Sequence, residues 1–365
     1  MVMLKKIKLK NYRNISEIEI KLNATPTIVI APNSTGKTNL LEAIYLNVYG
    51  STFKSIENIR EVIGADLTYA KVNLEWEDAS TEVVVSCIDD YVKKNYFYNS
   101  KSTNLSKLSS SHSAIVFAPN SVDIISGDPA LRRQDLDNFL SSISKDYHKA
   151  LSAYSKVLKN RNALLKIIRE NKAHSQQLNF WTEKLIENAL FIFNERVRFF
   201  DAITPFIERV VKEMNIFLKF EDYKFLKLVY MPNVQLAGVD YKASLKAKFD
   251  ENLNKEIMVG KTLYGVHKDD YSLFIQGKNI RFYGSRGQQR LTTLLIKLAQ
   301  IQYFKDLTQK DPVFLIDDLM SELDSSNRDN ISNYLLSSDV QFILTTAERF
   351  EIPENLFEKS SIIWL

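Results

Sequence analysis

The residues best suited to chemistry stand together at Ala31-Pro32-Asn33-Ser34-Thr35-Gly36-Lys37-Thr38-Asn39. An apolar run from Thr27 to Ile30 feeds this turn, and Leu40, Leu41, Ala43, Ile44 and Leu46 follow it at helical spacing. Strand, tight turn and helix in that order form the setting of a phosphate-binding loop that ends in Gly-Lys-Thr. Backbone N–H groups and the helix N-terminus would surround nucleotide phosphates, Lys37 would reach the β and γ oxygens, and the Thr38 hydroxyl would ligate Mg²⁺. Asn33, Ser34, Thr35, Gly36 and Asn39 complete the expected nucleotide-binding stretch. Ala31 departs from G-x-x-x-x-G-K-[ST] at the first position. A positive φ there would cost on the order of 1–2 kcal/mol, about tenfold in affinity.

Two further clusters follow in the order such a site requires. Val313-Phe314-Leu315-Ile316-Asp317-Asp318 is an apolar strand ending in paired carboxylates. Asp317 would hold Mg²⁺, directly or through water, and Asp318 would orient or deprotonate an attacking water. Ser321-Glu322-Leu323-Asp324 comes next as an expected dimer-contact loop. Gly284-Ser285-Arg286-Gly287-Gln288-Gln289-Arg290 precedes a helix expected from Leu291 to Phe304. A serine hydroxyl at a glycine-opened helix N-terminus makes an anion site, and an ordinary helix cap is the alternative.

The elements that must position these residues can be read from periodicity. Residues 3–10 and 15–22 alternate with period two around a turn at Asn11–Asn14, and read as a hairpin. Lys5, Lys6, Lys8, Lys10, Arg13 and Lys21 outnumber Glu17 and Glu19 there, a local positive excess on a solvated face. Arg13, in the turn, is placed to approach a nucleotide or DNA. Segments 70–77, 81–88 and 91–98 continue as antiparallel strands, the serine-rich 99–113 reads as a mobile loop, and Ala114–Phe117 is a short apolar strand. Residues 131–171 and 177–220 carry apolar side chains at three and four spacing and no proline but Pro205, and are expected as a helical insert with a mixed-charge solvated face. Beyond it, Tyr271–Ile275, Val313–Ile316 and Gln341–Thr345 read as strands.

Composition limits the possibilities. The 365 residues suffice for about two domains. With 45% hydrophobic and 25% charged residues the chain is that of an ordinary globular protein, and the net charge of +4 permits nucleic acid without requiring it. A single cysteine, Cys87, excludes an internal disulfide and any cysteine-based metal cluster. No apolar run approaches the ~20 residues that span a bilayer, and no signal-like block opens the chain, so a cytoplasmic protein without membrane partners is expected.

Ser285-x-Gly287-Gln288-Gln289 resembles the signature motif of the ABC-type ATPases of DNA repair, which include the SMC proteins. Leu9–Asn14, Thr38–Tyr45, Gly127–Arg133, Asn160–Lys166 and His267–Asp270 resemble the RecF family more closely. The resemblance implies an α/β fold: an ABC-type ATPase head with a mixed sheet, from residues 1–130 and 236–365, and a helical second domain at 131–235. It implies ATP and Mg²⁺ as cofactors and an ATP-dependent homodimer in which each phosphate loop is closed by Ser285, Gly287 and Gln288 of the other protomer. It further implies slow hydrolysis, binding to double-stranded DNA near single-stranded gaps, and work with RecR and RecO in loading a recombinase. Ala31 and Ser34 stand where the loop of the family usually has glycines, Thr345 and Thr346 stand where many ABC ATPases carry a switch histidine, and His267 is expected to be structural. A nucleotide-binding scaffold without useful turnover is the main alternative, and a transporter ATPase the third.

Overall fold

Alternation of buried and exposed residues builds the first sheet. A computed structural model describes residues 2–23, 26–54, 58–89, 91–214, 226–236 and 240–365. In strand β1 (Leu4–Tyr12) Ile7 and Leu9 point into the core while Lys6, Lys8 and Lys10 point away, as period two requires. It pairs antiparallel with β2 (Ile15–Lys21), so the hairpin turn is Arg13–Asn14 alone, with Asn11 and Arg13 at φ of 57° and 49°. A parallel-sheet strand, β3 (Thr27–Ile30), and helix α1 (Lys37–Tyr49) intervene before β4 (Tyr69–Trp76), β5 (Ser80–Ile88), β6 (Tyr91–Tyr98) and β7 (Lys101–Thr103). The antiparallel order is β2-β1-β4-β5-β6-β7.

Two expectations change here. The positive excess counted on the hairpin is balanced in part from outside it: Lys6 pairs with Glu75 at 3.0 Å and Lys5 with Glu77 at 2.8 Å, while Lys8 lies 3.2 Å from Glu19 of the hairpin itself. The partners Glu75 and Glu77 lie far along the chain, so a local count misses them. Residues 99–113 are also not a loop. Lys101–Thr103 is strand, and α2 (Leu105–Ser111) follows, capped by the Asn104 side chain, which accepts from the Lys107 N–H, and anchored by buried Leu108. Strand β8 (Ala114–Phe117) comes next.

Contacts divide the chain into two compact units, Met1–Val122 with Phe206–Lys224 and Gly284–Leu365, and Asp123–Pro205 with Phe225–Tyr283. The second carries α3 (Asp123–Ser126), α4 (Pro129–Ile143), α5 (Lys145–Arg169), most of α6 (Leu178–Met214), β9 (Lys227–Met231), α7 (Tyr241–Val259), β10 (Asp270–Ile275), β11 (Lys278–Asn279) and α8 (Ile280–Tyr283). Residues 240–283, expected with the ATPase head, fall in this unit because β10 pairs with β9 and α7 packs on α5. The part of the expected helical stretch beyond 214 lies outside the described residues.

Inside this unit the mixed charge is not all solvated. Arg132 holds Asp270 with both ends of its guanidinium, at 2.6 and 2.8 Å. Arg161, fully buried, pairs with Glu256 at 2.7 Å, and Arg196 with Asp137 and Asp269 at 2.8 and 3.1 Å. Lys145, Lys149, Lys156, Lys159 and Arg169 do remain exposed. His267 is structural. Tyr154 O–H donates to its Nδ1 at 2.6 Å, its Nε2–H donates to Thr262 O at 3.2 Å, and burial holds its pKa down to about 4.

The first unit resumes with α9 (Arg286–Thr308), β12 (Val313–Asp317), α10 (Ser325–Ser337), β13 (Phe342–Thr346), α11 (Glu354–Glu358) and β14 (Ser361–Trp364). With β3 and β8 these strands form a sheet ordered β14-β3-β13-β12-β8, every pairing parallel. All residues of β3, β12 and β13 are buried, the mark of a sheet covered on both faces. No helix among the described residues is long and apolar enough to cross a membrane.

Candidate nucleotide site

In a parallel sheet the carboxyl ends of the strands share one edge, and ligands bind there. β3 runs into the loop Ala31–Gly36, β12 ends at Asp317, and β13, hydrogen-bonded between them, ends at Thr345 and Thr346. The topology therefore brings the loop and the carboxylates together from positions nearly 280 residues apart.

The contact is direct: Thr38 Oγ1 donates to Asp317 Oδ2 at 2.8 Å, and Thr345 Oγ1 donates to Asp317 Oδ1 at 2.6 Å. Hard oxygen donors from a hydroxyl and a buried carboxylate suit Mg²⁺, which usually takes only one or two protein ligands and completes its shell with water and phosphate oxygens. The pair thus fits the expected ion.

Lys37 is almost fully buried and folds its ammonium back over the loop, donating to Ala31 O, to Pro32 O at 3.0 Å and to Asn33 Oδ1 at 3.4 Å. Thr35 Oγ1 donates to Pro32 O at 2.7 Å. No side chain caps α1, whose N-cap is Gly36 at φ 112°. Its first N–H groups are oriented for an anion. Glycine is required at 36 on two counts: the left-handed backbone, and Asn14 Oδ1 only 3.0 Å from where a Cβ would sit.

Strain falls at a different place from the one expected. Ala31 lies outside the left-handed region, and its N–H donates to Thr346 O at 3.3 Å. Ser34 adopts φ 69° instead. The penalty of about 1–2 kcal/mol therefore belongs to Ser34.

Asp318 continues the ladder through its N–H to Thr345 O at 3.1 Å and then turns to φ 49°, outside the strand region. Left-handed backbone at a non-glycine residue is a strain typical of functional turns. Arg290, a buried residue of the first turns of α9, donates from Nη2 to Asp318 O at 2.7 Å and holds the turn, and Ser321 Oγ donates to the same carbonyl at 3.2 Å. Burial pushes the Asp318 carboxyl above its ordinary range, and Glu351 and Asp317 add to the rise while Ser321 and Arg290 oppose it. A carboxylate raised in this way suits a general base. Thr346, at the switch position, donates to Glu351 Oε2.

Ser285 and Gln288 cap α9 reciprocally: Gln288 N–H donates to Ser285 Oγ at 3.2 Å and Ser285 N–H to Gln288 Oε1 at 2.9 Å. Ser285, Gly287 and Gln288 are exposed. Asp324 caps α10, accepting from Asn327 N–H at 2.9 Å, so the 321–324 stretch is a short helical turn and a cap.

Arg13, expected to approach a nucleotide or DNA, is anchored beside the loop. Its guanidinium pairs with buried Glu42 of α1, Nε to Oε2 at 2.6 Å and Nη2 to Oε1 at 2.9 Å. Its neighbour Asn14 does reach it, donating from Nδ2 to Ser34 O at 3.2 Å and accepting from Asn39 Nδ2 at 2.8 Å. Asn14 and Arg290 are the two residues sequence reasoning missed as part of the site. Both stood inside noted motifs, but their contacts cross the fold.

The relatives share this architecture. A family model described as the RecF/RecN/SMC N terminal domain matches residues 3–358. The DNA replication and repair protein RecF of Oceanobacillus iheyensis is 31% identical over 351 residues, 94% of this chain and 93% of that protein. The RecF of Bacillus mycoides is 31% identical over 363 residues, 98% and 95% of the two chains. A solved structure of the recombination mediator protein RecF-ATP, 27% identical, covers 96% of this chain and 94% of its own with a TM-score of 0.83. An SMC head bound to the winged-helix domain of ScpA covers 99% and 93% with a TM-score of 0.54 at 14% identity, a likeness that shows the fold alone. On matches that run through nearly its whole length, the chain belongs to the RecF family of ABC-type, SMC-like ATPases.

Proposed function

We propose that the protein binds ATP with Mg²⁺ at the Lys37 loop, dimerises on it, and in that state clamps double-stranded DNA beside single-stranded gaps in the cytoplasm. The observation that carries this reading is the Thr38–Asp317 hydrogen bond, which assembles the two halves of a phosphate and metal site. With nucleotide bound, Lys37 would meet the β and γ oxygens, Thr38 and Asp317 would hold the cation, and Asp318 would take the proton of the attacking water. Mg²⁺ supplies charge neutralisation of the phosphates.

The dimer draws support from α9. Among the described residues none crowds Gly287, where a Cβ would come no nearer than 4.0 Å to Ser285 Oγ, so this exposed turn leaves room for the loop of a second copy to approach. The γ-phosphate then supplies the differential affinity that favours the dimer, and slow hydrolysis removes it. The similar proteins include one described as a recombination mediator in the RecFOR pathway, which supports RecR and RecO as partners in loading a recombinase.

Strain at Ser34 favours a second reading, a nucleotide-binding scaffold without useful turnover. DNA binding separates the states first. Fluorescence anisotropy with a gapped duplex is expected to show tighter binding with ATP-Mg²⁺ than with ADP, with affinity falling steeply and log-linearly as salt rises. Equal affinity in both nucleotide states, or no salt dependence, would contradict the clamp.

A further inference from the structure

We propose that Asn14 is a positioning residue for the phosphate loop, its amide holding Ser34 in the left-handed conformation that glycine would adopt unaided. Ser34 stands in a loop whose geometry demands φ 69° at that residue. The direction of a carbonyl is set by the backbone dihedrals on its own residue, so a donor fixed beside Ser34 O rewards one conformation and not the others.

Asn14 is such a donor, and it is fixed twice over. Its Nδ2 donates to Ser34 O at 3.2 Å, while its Oδ1 accepts from Asn39 Nδ2 at 2.8 Å, which sets the orientation of the amide. The hairpin turn carrying it is tied down independently. Arg13 N–H donates to Val62 O at 2.9 Å, Gly64 N–H donates to Asn11 O at 2.9 Å, and the Arg13 guanidinium is locked on buried Glu42. The same Oδ1 lies 3.0 Å from the Cβ position of Gly36, so the side chain sits against both left-handed residues of the loop.

The inference predicts that residues 14 and 34 are energetically coupled, which a double-mutant cycle measures. The first readout is the urea midpoint of the full chain without nucleotide. Asn14→Ala should lower it in the natural chain, and by less than half that shift in a Ser34→Gly background, where the left-handed conformation needs no brace. The second readout rests on the nucleotide-site reading. Asn14→Ala should weaken binding of a fluorescent ATP analogue about tenfold in the natural chain and under about threefold with Ser34→Gly. Asn14→Asp keeps the acceptor for Asn39 but sets an oxygen against Ser34 O, and should behave like Asn14→Ala in both backgrounds. Equal shifts in the two backgrounds would overturn the brace. If the natural chain binds no analogue, the nucleotide reading fails while the urea cycle still decides the coupling.

Discussion

In the proposed mechanism Asp318 is the residue on which turnover would depend. It sits one position beyond Asp317, on a left-handed backbone fixed by Arg290, with its carboxyl raised by burial. Replacing it by Asn preserves shape and removes the base. Single-turnover hydrolysis should fall by roughly 10²–10⁴-fold, with affinity for ATP largely unchanged. A natural chain with no measurable rate, or a rate indifferent to Asp318→Asn, would make the scaffold reading the working one. The signal for Asp318, Asp317, Lys37 and Thr38 was legible in the sequence because each stands at a fixed offset within a strand-turn-helix or strand-end pattern. What lay beyond local pattern was where strain and support fall. Only the folded backbone shows that Ser34, and not Ala31, is left-handed, and that Asn14 rather than Arg13 touches the loop.

At the scale of elements, strong periodicity or two-sided burial made the strands readable: Ala114–Phe117 and Val313–Ile316 are apolar because the parallel sheet is covered on both faces. Residues 101–111 escaped because serine and asparagine composition outweighed the two anchors, Asn104 as cap and Leu108 as core. The hairpin's charge was read incompletely for a related reason, since Glu75 and Glu77 arrive from outside it. In the second unit the Asn160–Lys166 and His267–Asp270 motifs contribute Arg161, His267 and Asp269 to buried polar contacts. His267 there carries a pH dependence. Its folded pKa of about 4 lies below the ordinary value of 6.5. The stability it leaves intact above pH 6.5 is therefore lost as pH falls toward 4, where the unfolded chain takes up a proton that the folded chain refuses. Urea midpoints at pH 7 and pH 5 should fall further for the natural chain than for His267→Gln. Equal falls would mean that His267 titrates normally.

At the scale of the whole molecule, the central claim is that ATP joins two copies of the chain. One protomer presents the Lys37 loop with Thr38, Asp317 and Asp318 assembled, and separately presents the exposed cap of α9 with Ser285, Gly287 and Gln288. Each half is well formed within one chain. Light scattering tests this most directly, with the molar mass measured in ATP-Mg²⁺ and in ADP for the natural chain, Lys37→Met and Ser285→Arg. The mass should double with ATP alone, and neither variant should show the doubling. A single mass under every condition would contradict it.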